Sequence, residues 1–156
     1  MTREADDIVG FARYARADEI AAALDVGERA AASFAAIPPP ERASILRHAA
    51  DLLEARNDRL VGLIVREAGK SYANAVAEVR EAADFLRYYG HEAARTLLPA
   101  SPAPLGLLVC ISPWNFPLAI FTGQVAAALA LSPFASLSRR LSSEKSTPRE
   151  LTRSGA

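Results

Sequence analysis

One cysteine, two histidines and no long uninterrupted apolar run exclude several kinds of chemistry from this sequence. The single thiol, Cys110, rules out a disulfide within the chain and fits a reducing compartment. His48 and His91 are far apart and lack metal-ligand spacing, so both are expected at the surface and no metal is expected. No apolar stretch approaches the roughly 18 residues of a membrane span. The first seven residues, Met1 to Asp7, are acidic and carry no apolar signal core. Lysine plus arginine number 18 and aspartate plus glutamate also 18, so no net field recruits nucleic acid or an anionic membrane. The pair Arg139-Arg140, in a serine-rich stretch, is too small a footprint to change that. What remains is a soluble, cytoplasmic chain of 156 residues, enough for one ordinary domain with a real core.

The first two-thirds of the sequence is written in helical periods. Residues 1–17 carry few periodic signals and read as a loose lead-in. Asp18 is a candidate cap for a helix to about Ala36, weakened at Gly27, and Ile37-Pro38-Pro39-Pro40 ends it. Pro40 suits the first position of the next helix, where a missing N–H is harmless and Glu41 complements the dipole. Ile45, Leu46, Ala49, Leu52 and Leu53 then mark one buried stripe to Ala55. Asn57 is a candidate cap for a third helix, with Leu60, Leu63 and Ile64 inward and Gly69 as a left-handed C-cap. A fourth runs from about Tyr72 to Leu97 on Ala75, Val76, Val79, Ala82, Ala83, Leu86 and Tyr89, with Gly90 a possible break. Glu67 and Glu78 read as solvated helix positions engaged in i,i+4 pairs in preference to groups that reach a ligand channel, and Tyr88 and Tyr89 as packing residues.

Residues 99–104 form a proline-rich connector that cannot be a central strand. After it the pattern changes. Leu105 to Ile111 is a short apolar run with the length of one buried strand. It breaks at Ser112-Pro113-Trp114-Asn115-Phe116-Pro117 and resumes as an alanine-rich helix, Leu118 to Ala130. Strand, tight turn and helix start is how an open α/β sheet presents ligand-binding groups at its strand ends. Taken without its neighbours, the turn also fits a plain Asn-Phe-Pro turn with a core tryptophan. Residues 131–156 lose periodicity and read as a disordered tail.

The turn Pro113-Trp114-Asn115-Phe116-Pro117, with Cys110-Ile111-Ser112 before it and Leu118 to Ala130 after it, resembles the aldehyde dehydrogenase superfamily. Arg66-Glu67-Ala68-Gly69-Lys70, Ala77 to Ala82, Phe85 to Tyr89 and Glu41-Arg42-Ala43 are similar to its L-glutamate γ-semialdehyde (Δ1-pyrroline-5-carboxylate) dehydrogenase branch, as found in bifunctional proline utilization proteins. The likeness covers about residues 20–130. It implies an α/β fold: a helical N-terminal part over residues 18–98, then the first strand-turn-helix, residues 105–130, of a Rossmann-like NAD-binding domain that is incomplete here. It also implies NAD-dependent oxidation of a small aldehyde through a cysteine nucleophile. By the same resemblance Asn115 is the donor to the oxyanion, Ile111, Ser112, Pro113 and Trp114 line the nucleotide cleft, and Phe116 borders the substrate tunnel.

The family's further parts have no counterpart in the sequence. Its Lys-Pro-Ala-Glu segment, glycine-rich turn, general-base glutamate and nucleophilic cysteine are absent, and Cys110, at the end of an apolar run, reads as a small hydrophobe. The chain alone is therefore expected to be inactive, to expose apolar surface, and to look like an N-terminal piece read out of frame after about Ala130. The connector before Leu105 is shorter than the hairpin arm the family uses to oligomerise, so that assembly is not expected. The rival expectation is a helical interaction module that binds a partner without NAD.

Overall fold

The computed structural model describes residues 8–11, 13–95 and 107–130. Five helices are present among them: α1 (Ala17–Ala35), α2 (Pro39–Ala55), α3 (Asn57–Ala68), α4 (Tyr72–Arg95) and α5 (Ala119–Ala130). The connector at 99–104 and the stretch 131–156 lie outside the described residues, as do the lead-in's first seven positions and the last two residues expected of the fourth helix.

Capping chemistry explains where the helices start. Asp18 does not cap α1; its carboxylate accepts from the Arg16 guanidinium at 3.0 Å, while Glu19 reaches back to the Arg16 backbone N–H at 2.9 Å. Arg16 is therefore the residue ahead of the helix. Both Pro39 and Pro40 fit the start of α2, because neither of the first two helical positions needs its N–H. Asn57 is the first residue of α3 rather than its cap, and Arg56 joins α2 to α3. Gly69 ends α3 as expected, at φ 66°, in the left-handed region that glycine enters without steric penalty.

The long helix α4 is the spine, with α2, α3 and α5 packed around it. One core cluster joins Leu46 and Ala50 of α2, Ala83, Leu86 and Ala93 of α4, and Ala126 and Ala130 of α5. A second joins Val61 and Ile64 of α3 to Ala75 and Val79 of α4. Alanine dominates, so backbones come close. Gly90 does not break α4; it sits in mid-helix, buried, where an added Cβ would lie 3.2 Å from the Ala43 carbonyl oxygen. That close approach centres the α2 contact on Ala43, Leu46 and Ala50, leaving Ile45 and Leu52 largely exposed rather than in the expected stripe. It also buries Arg42, whose guanidinium is pushed below its ordinary value by desolvation. Across the outer edge of the same contact, Arg87 of α4 donates to Glu54 at 2.6 Å and to Asp51 at 3.0 Å on α2. The hydrogen bonds from Arg87 hold the Glu54 carboxyl below the usual range.

Helix α1 contributes no buried residue and reaches the rest through Leu107, whose side chain lies against Gly27. The helix runs unbroken through that glycine. His48 and His91 are exposed, Tyr89 packs on the core and Tyr88 stands edge-on to it, 5.1 Å between centroids. The expected strand is not formed at residues 107–111. A strand is defined by ladder hydrogen bonds to a neighbour, and no second such segment exists among the described residues.

Replacing Gly90 by valine is expected to destabilise the chain by about 1–3 kcal/mol, the usual range for forcing extra atoms into a packed contact. Chemical denaturation followed by far-UV circular dichroism measures this.

Candidate functional site at the start of helix α5

The segment from Leu107 to Gln124 contains no charged residue, so whatever charge acts on it comes from other helices. Residues 107–113 lack regular structure, a turn follows over Trp114–Leu118, and α5 starts at Ala119. The Phe116 N–H donates to the Pro113 carbonyl at 3.3 Å and closes the turn. Proline at 117 removes one donor, but the N–H groups of Leu118 and Ala119 still have no intrahelical acceptor. Leu118, immediately ahead of α5, has no side-chain oxygen to cap them.

Glu78 caps them instead, from 40 residues away. Its Oε1 accepts from Leu118 N–H at 2.9 Å and from Ala119 N–H at 3.3 Å. Its other oxygen, Oε2, pairs with Lys70 Nζ. The Glu78 side chain is 2% exposed and that of Lys70 15%, so this is a buried ion pair closed by two backbone donors. The Lys70 ammonium also lies over the Phe116 ring, 4.0 Å from its centroid. The reading of Glu78 as a solvated helix position is thus overturned. It lies on the apolar stripe between Ala75 and Val79 of α4, and burial is tolerable because both of its oxygens are partnered. Glu67, by contrast, is exposed.

At the other end of the turn, Gln124 on α5 donates its Nε2 to the Ile111 carbonyl at 2.8 Å. The five residues read from the sequence as a nucleotide wall and oxyanion donor therefore occupy one short loop, fastened before and after. Ile111 and Trp114 are 80% and 82% exposed, Asn115 is exposed, and Ser112 is half-buried. The Asn115 side-chain amide has no hydrogen-bond partner among the described residues and is free to donate. Phe116 is engaged by Lys70 rather than free. Cys110 is half-buried.

The donor set fits one wall of a dinucleotide cleft and no more. The exposed loop offers apolar surface and backbone groups, with the Ile111 carbonyl already committed to Gln124 and the nearby Lys70 ammonium committed to Glu78. Among the described residues no group of three or more His, Cys, Asp or Glu side chains could hold a metal ion. None of the helices is long and apolar enough to cross a membrane. Reasoning from the sequence missed Lys70 and Gln124 as parts of this site and assigned Glu78 to a solvated face. Two signals could have found Glu78: a carboxylate at a core position of α4, and a helix start at Leu118-Ala119 with no local cap.

Comparison with known proteins adds the following. The family model described as "Aldehyde dehydrogenase family" matches residues 3–132. The bifunctional protein PutA of Escherichia coli K12 is 54% identical over 127 residues, 81% of this chain and 10% of that protein. A crystal structure of a bifunctional proline utilization A protein superposes with a TM-score of 0.73 at 39% identity, over 83% of this chain and 14% of the other. A 1-pyrroline-5-carboxylate dehydrogenase from Thermus, crystallised with bound NAD, gives a TM-score of 0.70 at 35% identity over 76% of this chain and 25% of the other. The chain thus spans about a tenth of the length of the PutA relative it matches.

Lys70→Met is expected to destabilise the fold by about 3 kcal/mol, because it strands a buried carboxylate. Combining it with Glu78→Gln should recover much of that loss, since no unpaired charge is left inside. Equilibrium unfolding of both single variants and the double variant measures the coupling.

Proposed function

The chain belongs to the aldehyde dehydrogenase family, and from that premise we propose that it supplies the oxyanion-stabilising turn of an NAD-dependent L-glutamate γ-semialdehyde dehydrogenase. The observation that carries this reading is the turn itself. Asn115 sits exposed, with its amide unpartnered among the described residues, in a loop fastened at both ends. The relatives named PutA and 1-pyrroline-5-carboxylate dehydrogenase support the choice of aldehyde.

Oxidation of an aldehyde through a thiol adduct places negative charge on the former carbonyl oxygen. On this reading the Asn115 amide N–H meets that charge, from a turn whose backbone is tied on both sides. Ile111, Ser112, Pro113 and Trp114 form one wall of the nucleotide cleft, and Phe116 borders the aldehyde, with its ring held by Lys70. NAD, when bound, accepts the hydride. On this reading residues 18–98 are the helical N-terminal part of the domain and 105–130 the start of its nucleotide-binding unit, in the cytoplasm. The nucleophilic cysteine and general-base glutamate come from polypeptide outside this sequence, and the isolated chain is inactive.

The test is reconstitution. The chain is mixed with a polypeptide carrying the rest of such a domain, and NADH formation from L-glutamate γ-semialdehyde is followed. Activity should appear on mixing, and Asn115→Ala should lower kcat about 10²–10³-fold, the usual loss for one oxyanion donor. If mixing yields no activity, and the exposed Val109, Ile111 and Trp114 instead bind a protein partner without nucleotide, the chain is an interaction module and the enzymatic reading fails.

A further inference from the structure

We propose that Glu78 and Gln124 are positioning residues that act as a two-point clamp on the Asn115 turn, with Lys70 setting the first point. The inference rests on the oxyanion role assigned to Asn115, but the clamp itself is a property of the turn. Seven residues separate Ile111 from Ala119, and within them the one backbone hydrogen bond is the 3.3 Å contact from Phe116 to Pro113. A loop so poorly self-bonded takes its shape from what holds its ends.

The ends are held by side chains of two different helices. Gln124, from α5, takes the Ile111 carbonyl at 2.8 Å, and Glu78, from α4, takes the Leu118 and Ala119 N–H groups at 2.9 and 3.3 Å. The first tie turns α5 back onto the segment that leads into its own start. The second roots that start on the spine. Asn115 lies midway between the tied positions.

Gln124 carries a further sign that its side chain serves placement. Donating Nε2 to the Ile111 carbonyl leaves Oε1 buried, with no hydrogen-bond partner among the described residues. A buried acceptor without a partner is destabilising. An apolar side chain of similar size would avoid that penalty, so stability alone gives little reason for glutamine here. Keeping it preserves the tie to Ile111. Lys70 plays the matching part at the other end, because it neutralises the carboxylate that would otherwise be too costly to bury, and its ammonium covers Phe116, next to Asn115.

Backbone relaxation by ¹⁵N NMR on the full chain tests the clamp without any need for activity. The Trp114 and Asn115 amides should have order parameters near about 0.85 in the wild type, and below about 0.6 in Gln124→Leu and in Glu78→Leu. Glu78→Gln keeps an acceptor oxygen for Leu118 and Ala119, so it should stay near the wild-type value. Amides of Ala50 and Ala83 in the core report whether a variant is still folded; they should not change in Gln124→Leu. Rigid Trp114 and Asn115 amides in a folded Gln124→Leu variant would overturn the proposal. So would equal loosening of the core and the turn, which would make Gln124 a general packing residue. If the order parameters behave as expected while the reconstituted assembly never oxidises aldehyde, the clamp stands and the enzymatic reading falls.

Discussion

The Glu78 carboxylate is the interaction on which the rest of this architecture depends. A charged group at a core position of a helix is tolerated only when it is paired and hydrogen-bonded, and here three donors converge on it: Lys70 Nζ, Leu118 N–H and Ala119 N–H. Those donors come from the loop after α3 and from the start of α5, while the acceptor belongs to α4. One buried charge thus joins α4 to the loop eight residues before it and to the start of α5, 40 residues further on. Hydrogen bonds to a charged partner contribute about 1.5–3 kcal/mol each, roughly twice the neutral kind. The same contact gives α5 the cap that Pro117-Leu118 cannot provide.

That arrangement needs helices that approach closely, and the composition supplies them. Ala43 lies against Gly90 between α2 and α4, and Gly123 of α5 faces the Phe85 ring of α4. Ala119, Ala126 and Ala130 complete the buried side of α5. Small side chains bring the α5 start within hydrogen-bonding reach of Glu78, and the loop ahead of it is left standing outward. The exposed Val109, Ile111 and Trp114 are the consequence: an apolar edge that the described residues do not cover.

Much of this was legible in the sequence and some was not, for physical reasons. Helices α2, α3 and α4 announce themselves through the 3.6-residue spacing of residues such as Ala75, Val79, Ala82 and Leu86, α5 through its alanine-rich composition, and Gly69 marks the end of α3 because a left-handed residue is needed there. The Pro113–Pro117 turn was recognisable from its own residues. The starts of α1 and α3 were misplaced by one or two positions, since Asp18 is diverted to Arg16 and Arg56 serves both α2 and α3. Ile45 and Leu52 looked buried because periodicity defines a stripe without saying which edge of it a neighbour covers; the Gly90 contact decides that. Glu78 and Gln124 escaped notice because each acts through a hydrogen bond to backbone far along the chain, 40 and 13 residues away. Local pattern marks Glu78 as a carboxylate at a core position and the α5 start as uncapped, but does not say that the two are paired. The strand at 105–111 depends on a ladder partner, which a single segment cannot provide.

Amide hydrogen exchange at Leu118 and Ala119 tests the central claim most directly. N–H groups at a helix start have no acceptor within the helix and ordinarily exchange quickly. If Glu78 caps α5, both amides are protected to a degree that approaches the core amides of α4, and Glu78→Leu abolishes that protection. Exchange of these two amides in the wild type as fast as at an unstructured position would contradict the account.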